Sequence, residues 1–270
     1  MSAQTPDGGP ALQVIGLTKR YGDTVALDRV SFEVAAGEFV AVLGPSGAGK
    51  TTMFRCLTRL VAPDSGAVFA RGRPLHALHG QRRRAALREI GLIFQQFNLI
   101  RRMSAVENVL AGRLGHAPTW RVLLRRFSRA DRQIALAALE RVGLLAQAGQ
   151  RADSLSGGQQ QRVAIARVLA QQSLLILADE PVASLDPETA ASVLGTLREI
   201  ARERGIAVLC SLHQVELAVQ FAERVIGLQG GRLVADLPAE RLGEAERDRI
   251  YRAEPEAMQP LARSEPVRMG

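Results

Sequence analysis

The sequence predicts an α/β fold: a mostly parallel sheet wound by helices, an antiparallel β part ahead of it, and a helical segment inserted within it. Three observations predict this. The runs Phe39 to Leu43, Leu174 to Ala178 and Ile206 to Cys210 are apolar or nearly so throughout, as strands covered on both faces must be. A glycine-rich stretch, Gly44-Pro45-Ser46-Gly47-Ala48-Gly49-Lys50-Thr51, directly follows the first run and leads into a helical pattern. Between about residues 97 and 172 the apolar spacing is that of helices, without strands.

In chain order, residues 1–10 are small, polar and rich in Pro and Gly, and read as a disordered tail. Leu12 to Ile15 and Val25 to Leu27 read as short strands, and Val30, Phe32 and Val34 alternate as a half-buried strand does, which makes an antiparallel start. Tyr21 falls in a polar turn between them. Two readings of it stand at this point, ordinary surface packing and an aromatic plate for a purine ring. Thr51 to Leu60 reads as a helix stopped by the turn Pro63-Asp64-Ser65-Gly66. Ala67 to Ala70 and Ile90 to Phe94 read as strands on either side of the arginine-rich segment Gln81 to Glu89, which is most simply a solvated helix face. Inside the helical insertion, Ser104 to Glu107 fits a capping box and Ser128 to Asp131 a weaker copy. The second of these helices sets Ile134, Ala138, Leu139 and Val142 on one face before Gly143. Thr189 to Arg204 then forms a helix between two buried strands, a right-handed crossover, with Leu194, Leu197, Ile200 and Ala201 inward and Gly205 as stop. Val225 to Leu228 and Leu233 to Ala235 flank Gly230-Gly231 as a hairpin. The expected division is a unit over 11–240 and a charged C-terminal segment over 241–270, helical at most near Leu242 to Tyr251.

At 270 residues the chain can bury a sizeable core, and with aromatic content of 4% that core is aliphatic. A net charge of +8 suits nucleic acid, acidic lipid headgroups or a partner that tolerates a basic surface, and does not choose among them. All but two of the 35 basic residues are arginines; the exceptions are Lys19 and Lys50. Cys56 and Cys210 are too few and too isolated for a disulfide framework or a Cys-x-x-Cys metal site. No run approaches the roughly 20 apolar residues that cross a bilayer, so service to a membrane process is expected from outside it.

The spacing G-x-x-x-x-G-K-[ST] from Gly44 to Thr51 carries chemistry. Its glycines allow successive N–H groups to point inward, and the following helix adds the positive end of its dipole, which together cradle phosphates. Lys50 reaches the outer phosphates and the Thr51 hydroxyl is placed for magnesium, so ATP or GTP is the expected ligand. Asp179-Glu180 closes a buried strand, where open α/β sheets bind ligands; Asp179 suits the metal and Glu180 the orientation of an attacking water. A second anion site is expected where Leu155-Ser156-Gly157-Gly158-Gln159 opens the helix pattern Gln160 to Ala170.

With that last segment in place the chain resembles the ATP-binding cassette family over nearly its whole length. The resemblance implies a P-loop ATPase core with an antiparallel β subdomain and an inserted helical subdomain, the ABC ATPase cassette, using ATP and Mg2+. It implies that Tyr21 stacks on adenine, and that the loop from Gly44 through Thr52 binds the phosphates. Gln95, in Ile93-Phe94-Gln95-Gln96, would contact magnesium and the attacking water, with Gln96 ranked second. His213 would touch the γ-phosphate, and Asp186, in Ser184-Leu185-Asp186, would sense the other subunit's site. Two subunits would stack head to tail, with Ser156, Gly157, Gly158 and Gln159 of one closing on the ATP held by the other. The segments Phe94 to Leu99, Leu177 to Pro187, Leu212 to Val215, Pro118 to Arg121 and Ile250 to Arg252 look like the ATP-binding subunits of bacterial phosphonate importers. That implies a homodimer on two permease subunits at the cytoplasmic face of the plasma membrane, with an extracytoplasmic solute-binding protein as an indirect partner. Importers of phosphite or phosphate esters have similar ATPases. A soluble cassette acting on nucleic acid, the reading that the arginines raise, would carry two cassettes or a long coiled-coil insertion, so no nucleic acid is expected. A simple kinase or GTPase leaves the segment Leu155 to Gln159 and His213 without a role.

Overall fold

A computed structural model describes residues 9–94, 96–116 and 127–252. The chain opens with β1 (Leu12–Tyr21) and β2 (Thr24–Val34), which pair antiparallel; β4 (Ser65–Ala70) and β5 (Arg73–Pro74) complete a four-stranded sheet in the order β2-β1-β4-β5. Both opening strands run longer than their apolar cores predict. Tyr21 is therefore the last residue of β1, paired with Thr24, and only Gly22 and Asp23 form the turn.

The second sheet contains β3 (Phe39–Leu43), β6 (Ile90–Ile93), β7 (Leu175–Asp179), β8 (Ala207–Ser211), β9 (Arg224–Gln229) and β10 (Arg232–Pro238), in the order β10-β9-β3-β8-β7-β6. Every pairing in it is parallel except the β9–β10 hairpin. Its central strands have no solvent face. In β3, Phe39, Ala41 and Leu43 enter one core while Val40 and Val42 enter the other; β7 and β8 divide their residues the same way. That division follows from the period of two along a strand, and it is why these segments read as unbroken apolar runs.

On one face lie α1 (Lys50–Leu57) and the antiparallel sheet. The other carries α5 (Gly157–Ala170), α6 (Pro187–Arg204) and α7 (Val215–Phe221). An arginine-rich helix, α2 (Gly80–Arg88), precedes β6. Helices α3 (Ala105–Leu110) and α4 (Arg129–Arg141) pack on α5 and form the helical part, where the described residues contain no strand. Both capping boxes are complete, the Ser128–Asp131 one as fully as that at Ser104. The insert Pro118 to Arg121 lies outside the described residues.

Two helices also differ from expectation. Helix α1 ends at Leu57 instead of Leu60, because Arg59 takes a left-handed φ of 60° and the Val61 N–H turns back to the Arg55 carbonyl at 3.1 Å. An arginine gives no sequence signal for that conformation, which usually falls to Gly or Asn. Helix α7, unexpected, is short and buries Leu217, Ala218 and Phe221.

In the charged C-terminal segment, α8 (Glu244–Tyr251) docks against β9 and β10 through Ile250, which is fully buried. Gly227 makes room for it, since a Cβ there would lie 2.5 Å from Ile250 Cγ1. Ile250→Ala is expected to cost about 2–5 kcal/mol of stability, as buried aliphatic truncations do. A denaturant midpoint equal to wild type would mean that α8 is not part of the cooperative fold.

Candidate functional site

The site is built where strand ends meet. β3, β8 and β7 lie side by side and parallel, with Val42 opposite Ser211 and Ser211 opposite Asp179. The loop after Leu43, the Asp179-Glu180 pair and the segment leading to His213 consequently leave the sheet at one edge.

The phosphate loop takes its shape from glycines at positive φ, two of which leave no room for a side chain. Gly44, Gly47 and Gly49 have φ of 155°, 81° and 102°. A Cβ on Gly44 would lie 2.1 Å from the Leu228 carbonyl oxygen, and one on Gly49 2.4 Å from that of Ala26. Pro45 is half-buried, Ser46 and Gly47 are exposed, and Ala48 packs inward. Lys50 opens α1, and its buried ammonium donates to the Gly44 carbonyl at 2.6 Å and the Pro45 carbonyl at 3.1 Å. Burial lowers its pKa, while the charges of Glu180 and Asp179 oppose that shift. Thr51 and Thr52 follow in the first turn of α1.

Asp179 ends β7 and is hydrogen-bonded by the Thr51 hydroxyl and by Ser211 Oγ, the latter at 2.9 Å. Burial raises its pKa, while those hydroxyls and Lys50 pull it down. Glu180 has a left-handed φ of 50°. Its backbone N–H donates to Ser211 Oγ at 2.8 Å, and its Oε1 lies 2.6 Å from His213 Nε2. Its carboxylate is 15% exposed against 45% for the His213 ring, so the acid sits beneath a more accessible imidazole. Lys50, Thr51, Asp179, Glu180 and His213, predicted separately, thus form one cluster. Ser211 joins them, and the sequence signals it only as a small polar residue closing an apolar strand.

Gln95 lies outside the described residues. Its neighbours Phe94 and Gln96, with Asn98, line a cleft of about 270 Å³ that Thr51, Phe54 and Asp179 also line. Among the described residues no cluster of three or more His, Cys, Asp and Glu could hold a metal unaided. The oxygens of Thr51 and Asp179 fit a hard cation that takes its remaining ligands from phosphate and water.

Other expected residues stand apart. Tyr21 is 47% exposed, its ring backed by the Lys19 ammonium 5.4 Å from the centroid, and Lys19 is held by Asp64 at 2.8 Å. Ser156 caps α5, and the Gln159 side-chain oxygen accepts from the Ser156 N–H at 2.9 Å, so Gln159 closes a capping box. Ser156 and Gly157 are exposed, and no hydrogen bond among the described residues joins this segment to the phosphate loop. Asp186 caps α6 through the Thr189 N–H at 2.9 Å, and that amide holds its pKa below the usual carboxylate value.

The family model described as ABC transporter matches residues 27–183, more than half of the 270. The chain belongs to the ABC transporter family. This ABC cassette is 54% identical over 231 residues to the hypophosphite import ATP-binding protein HtxD of Stutzerimonas stutzeri, covering 85% of this chain and 68% of that one. It is 51% identical to the phosphonates import ATP-binding protein PhnC of Frankia casuarinae, covering 91% and 97%. Among solved structures, the dimeric ABC transporter cassette MJ0796 superposes with a TM-score of 0.72 at 34% identity, covering 84% of this chain and 98% of that one. A post-hydrolysis structure of the same cassette contains ADP and Pi. The ABC cassette fold is thus the expected one. No described helix is long and apolar enough to cross a membrane.

Gly49→Ala is expected to weaken ATP binding at least tenfold, because it combines a φ of 102° with a clash against the Ala26 carbonyl. Titration with a fluorescent ATP analogue checks this, beside a melting curve that separates loss of the loop from loss of the fold.

Proposed function

We propose that this chain is the ATP-hydrolysing subunit of an importer for phosphonates or closely related phosphorus oxyanions. The observation that carries the reading is identity above 50% to import ATP-binding proteins named for hypophosphite and for phosphonates, over most of the chain. Hypophosphite joins phosphite and phosphate esters as an alternative solute, since the ATPase itself does not select the cargo.

In this reading ATP lies along the loop from Gly44 to Thr52 with adenine on Tyr21. Lys50 exchanges its two loop carbonyls for outer phosphate oxygens, which offer an ammonium full counter-charge. Thr51 and Asp179, with Gln95, hold Mg2+. Held by these residues, the ion would supply positive charge that offsets the charge developing on the phosphates. Glu180 orients the attacking water, and His213, held by the Glu180 carboxylate, faces the γ-phosphate. The separation of Ser156 to Gln159 from the loop supports a head-to-tail homodimer in which each subunit completes the other's site; Asp186 and the turn before it lie at that contact. Differential affinity of the closed and open dimers for ATP then drives the permeases.

The permease pair would dock peripherally, from the cytoplasmic side, on the surface near Gln95 to Arg102, where Ile100 and Leu60 are exposed. The solute-binding protein would act through the permeases. Reversing charge at Arg101 and Arg102, both exposed, is expected to abolish uptake while leaving ATPase activity of the free cassette in place. Wild-type uptake by that double variant would place the docking surface elsewhere.

Uptake of labelled aminoethylphosphonate, hypophosphite and phosphate by the native host, with and without this chain, tests the whole reading. Phosphonate or hypophosphite uptake should vanish on deletion and return with wild type but not with Glu180→Gln. If deletion affects neither, the cassette remains an ATPase and the solute class is wrong.

A further inference from the structure

Ser211 has no part in the nucleotide contacts described above, yet it touches both acids of the site. It is the last residue of β8, fully buried, and stands in register with Val42 on one side and Asp179 on the other. The next residue continues the ladder, as the Leu212 N–H donates to the Val42 carbonyl at 3.1 Å. The sheet therefore sets the position of the Ser211 hydroxyl on both sides, and no loop motion enters.

With Asp179 ionised, the direction of its two bonds is fixed. A hydroxyl carries one proton, and the Glu180 N–H can only donate, so the hydroxyl accepts from Glu180 at 2.8 Å and gives its own proton to Asp179 Oδ1 at 2.9 Å. We infer that Ser211 is a positioning residue for ATP hydrolysis, fixing the Asp179 carboxylate for the metal and the Glu180 backbone for the water-orienting carboxylate. The inference rests on the hydrolytic reading of this site.

Two consequences give the role its content. Glu180 is held at a φ of 50°, which a non-glycine residue adopts only when its surroundings insist, and the bond from its N–H is part of that insistence. Without it the residue can relax toward negative φ and carry its carboxylate away from His213 Nε2. Asp179 would keep the Thr51 hydroxyl as a partner but lose the bond from the rigid sheet, so its oxygens would be oriented by a group that is itself a candidate metal ligand. Loss of outer-layer partners of this kind typically lowers metal affinity or turnover about 10- to 100-fold.

The experiment uses the full chain, with Ser211→Ala, Ser211→Thr and Ser211→Cys beside wild type and Glu180→Gln. Steady-state ATPase gives kcat and KM, the free Mn2+ spectrum in the presence of ATP gives metal affinity, and a melting curve reports the fold. Ser211→Ala is expected to lower kcat about 10- to 100-fold with KM for ATP within about twofold of wild type, and to weaken Mn2+ binding. Ser211→Thr, which keeps the hydroxyl, should restore both. Should Thr not fit, Ser211→Cys, similar in volume and a weak hydrogen bonder, should follow Ala in kcat while melting with wild type. Wild-type kcat and Mn2+ affinity in Ala or Cys overturn the inference and leave hydrolysis at this site standing. So does a loss that a stably folded Thr variant fails to restore. A wild-type chain that turns over no faster than Glu180→Gln sinks the hydrolytic reading, and this inference with it.

Discussion

The register of three buried parallel strands is the constraint on which the site depends. β3, β8 and β7 pair so that Val42, Ser211 and Asp179 stand in one row, and the loop, acid and histidine segments all depart just beyond it. A slip of one residue in β8 would send Ser211 to the opposite face and break its bonds to both acids. The slip is prevented by the two cores, because each strand feeds alternate side chains to both and a shift would exchange every one of them. Packing on the two faces of the sheet thereby fixes an arrangement of polar groups at its end.

Electrostatics at that edge are held in tension. Burial disfavours the charge on Lys50 and the charge on Asp179, and each is the other's partial remedy. Among the described residues, Lys50 donates its hydrogen bonds to carbonyl dipoles, and these are weaker partners than anions. A cluster of this kind is prepared for a ligand that brings negative charge to the lysine and a cation to the aspartate together. Magnesium-bound triphosphate has that composition.

Much of this was legible in the sequence because motifs encode backbone needs. The glycines at 44, 47 and 49 stand at positive φ, and a strand buried on both faces has to read as apolar. What escaped depends on tertiary neighbours. The left-handed turn at Arg59 carries no compositional mark, and α7 is too short for its apolar spacing to speak. Ser211 matters through cross-strand partners 31 and 32 positions away, which no local pattern discloses. Gln159 stands at its expected helix start, whereas the helix expected from Thr189 begins at Pro187 and makes Asp186 its cap; both side chains serve as caps, a use that the type of residue predicts equally well.

Glu180 carries a consequence of its own. A left-handed backbone at a residue with a full side chain typically costs on the order of 1–3 kcal/mol, and glycine would occupy the position without that cost. On the proposed role of Glu180 in hydrolysis, stability and turnover make opposite demands on this codon. Variants selected only for heat resistance are drawn toward glycine or asparagine there, whereas selection on growth holds the acid in place. The chain keeps a locally unfavourable residue at the end of a buried strand, where the bond to Ser211 helps to hold its backbone.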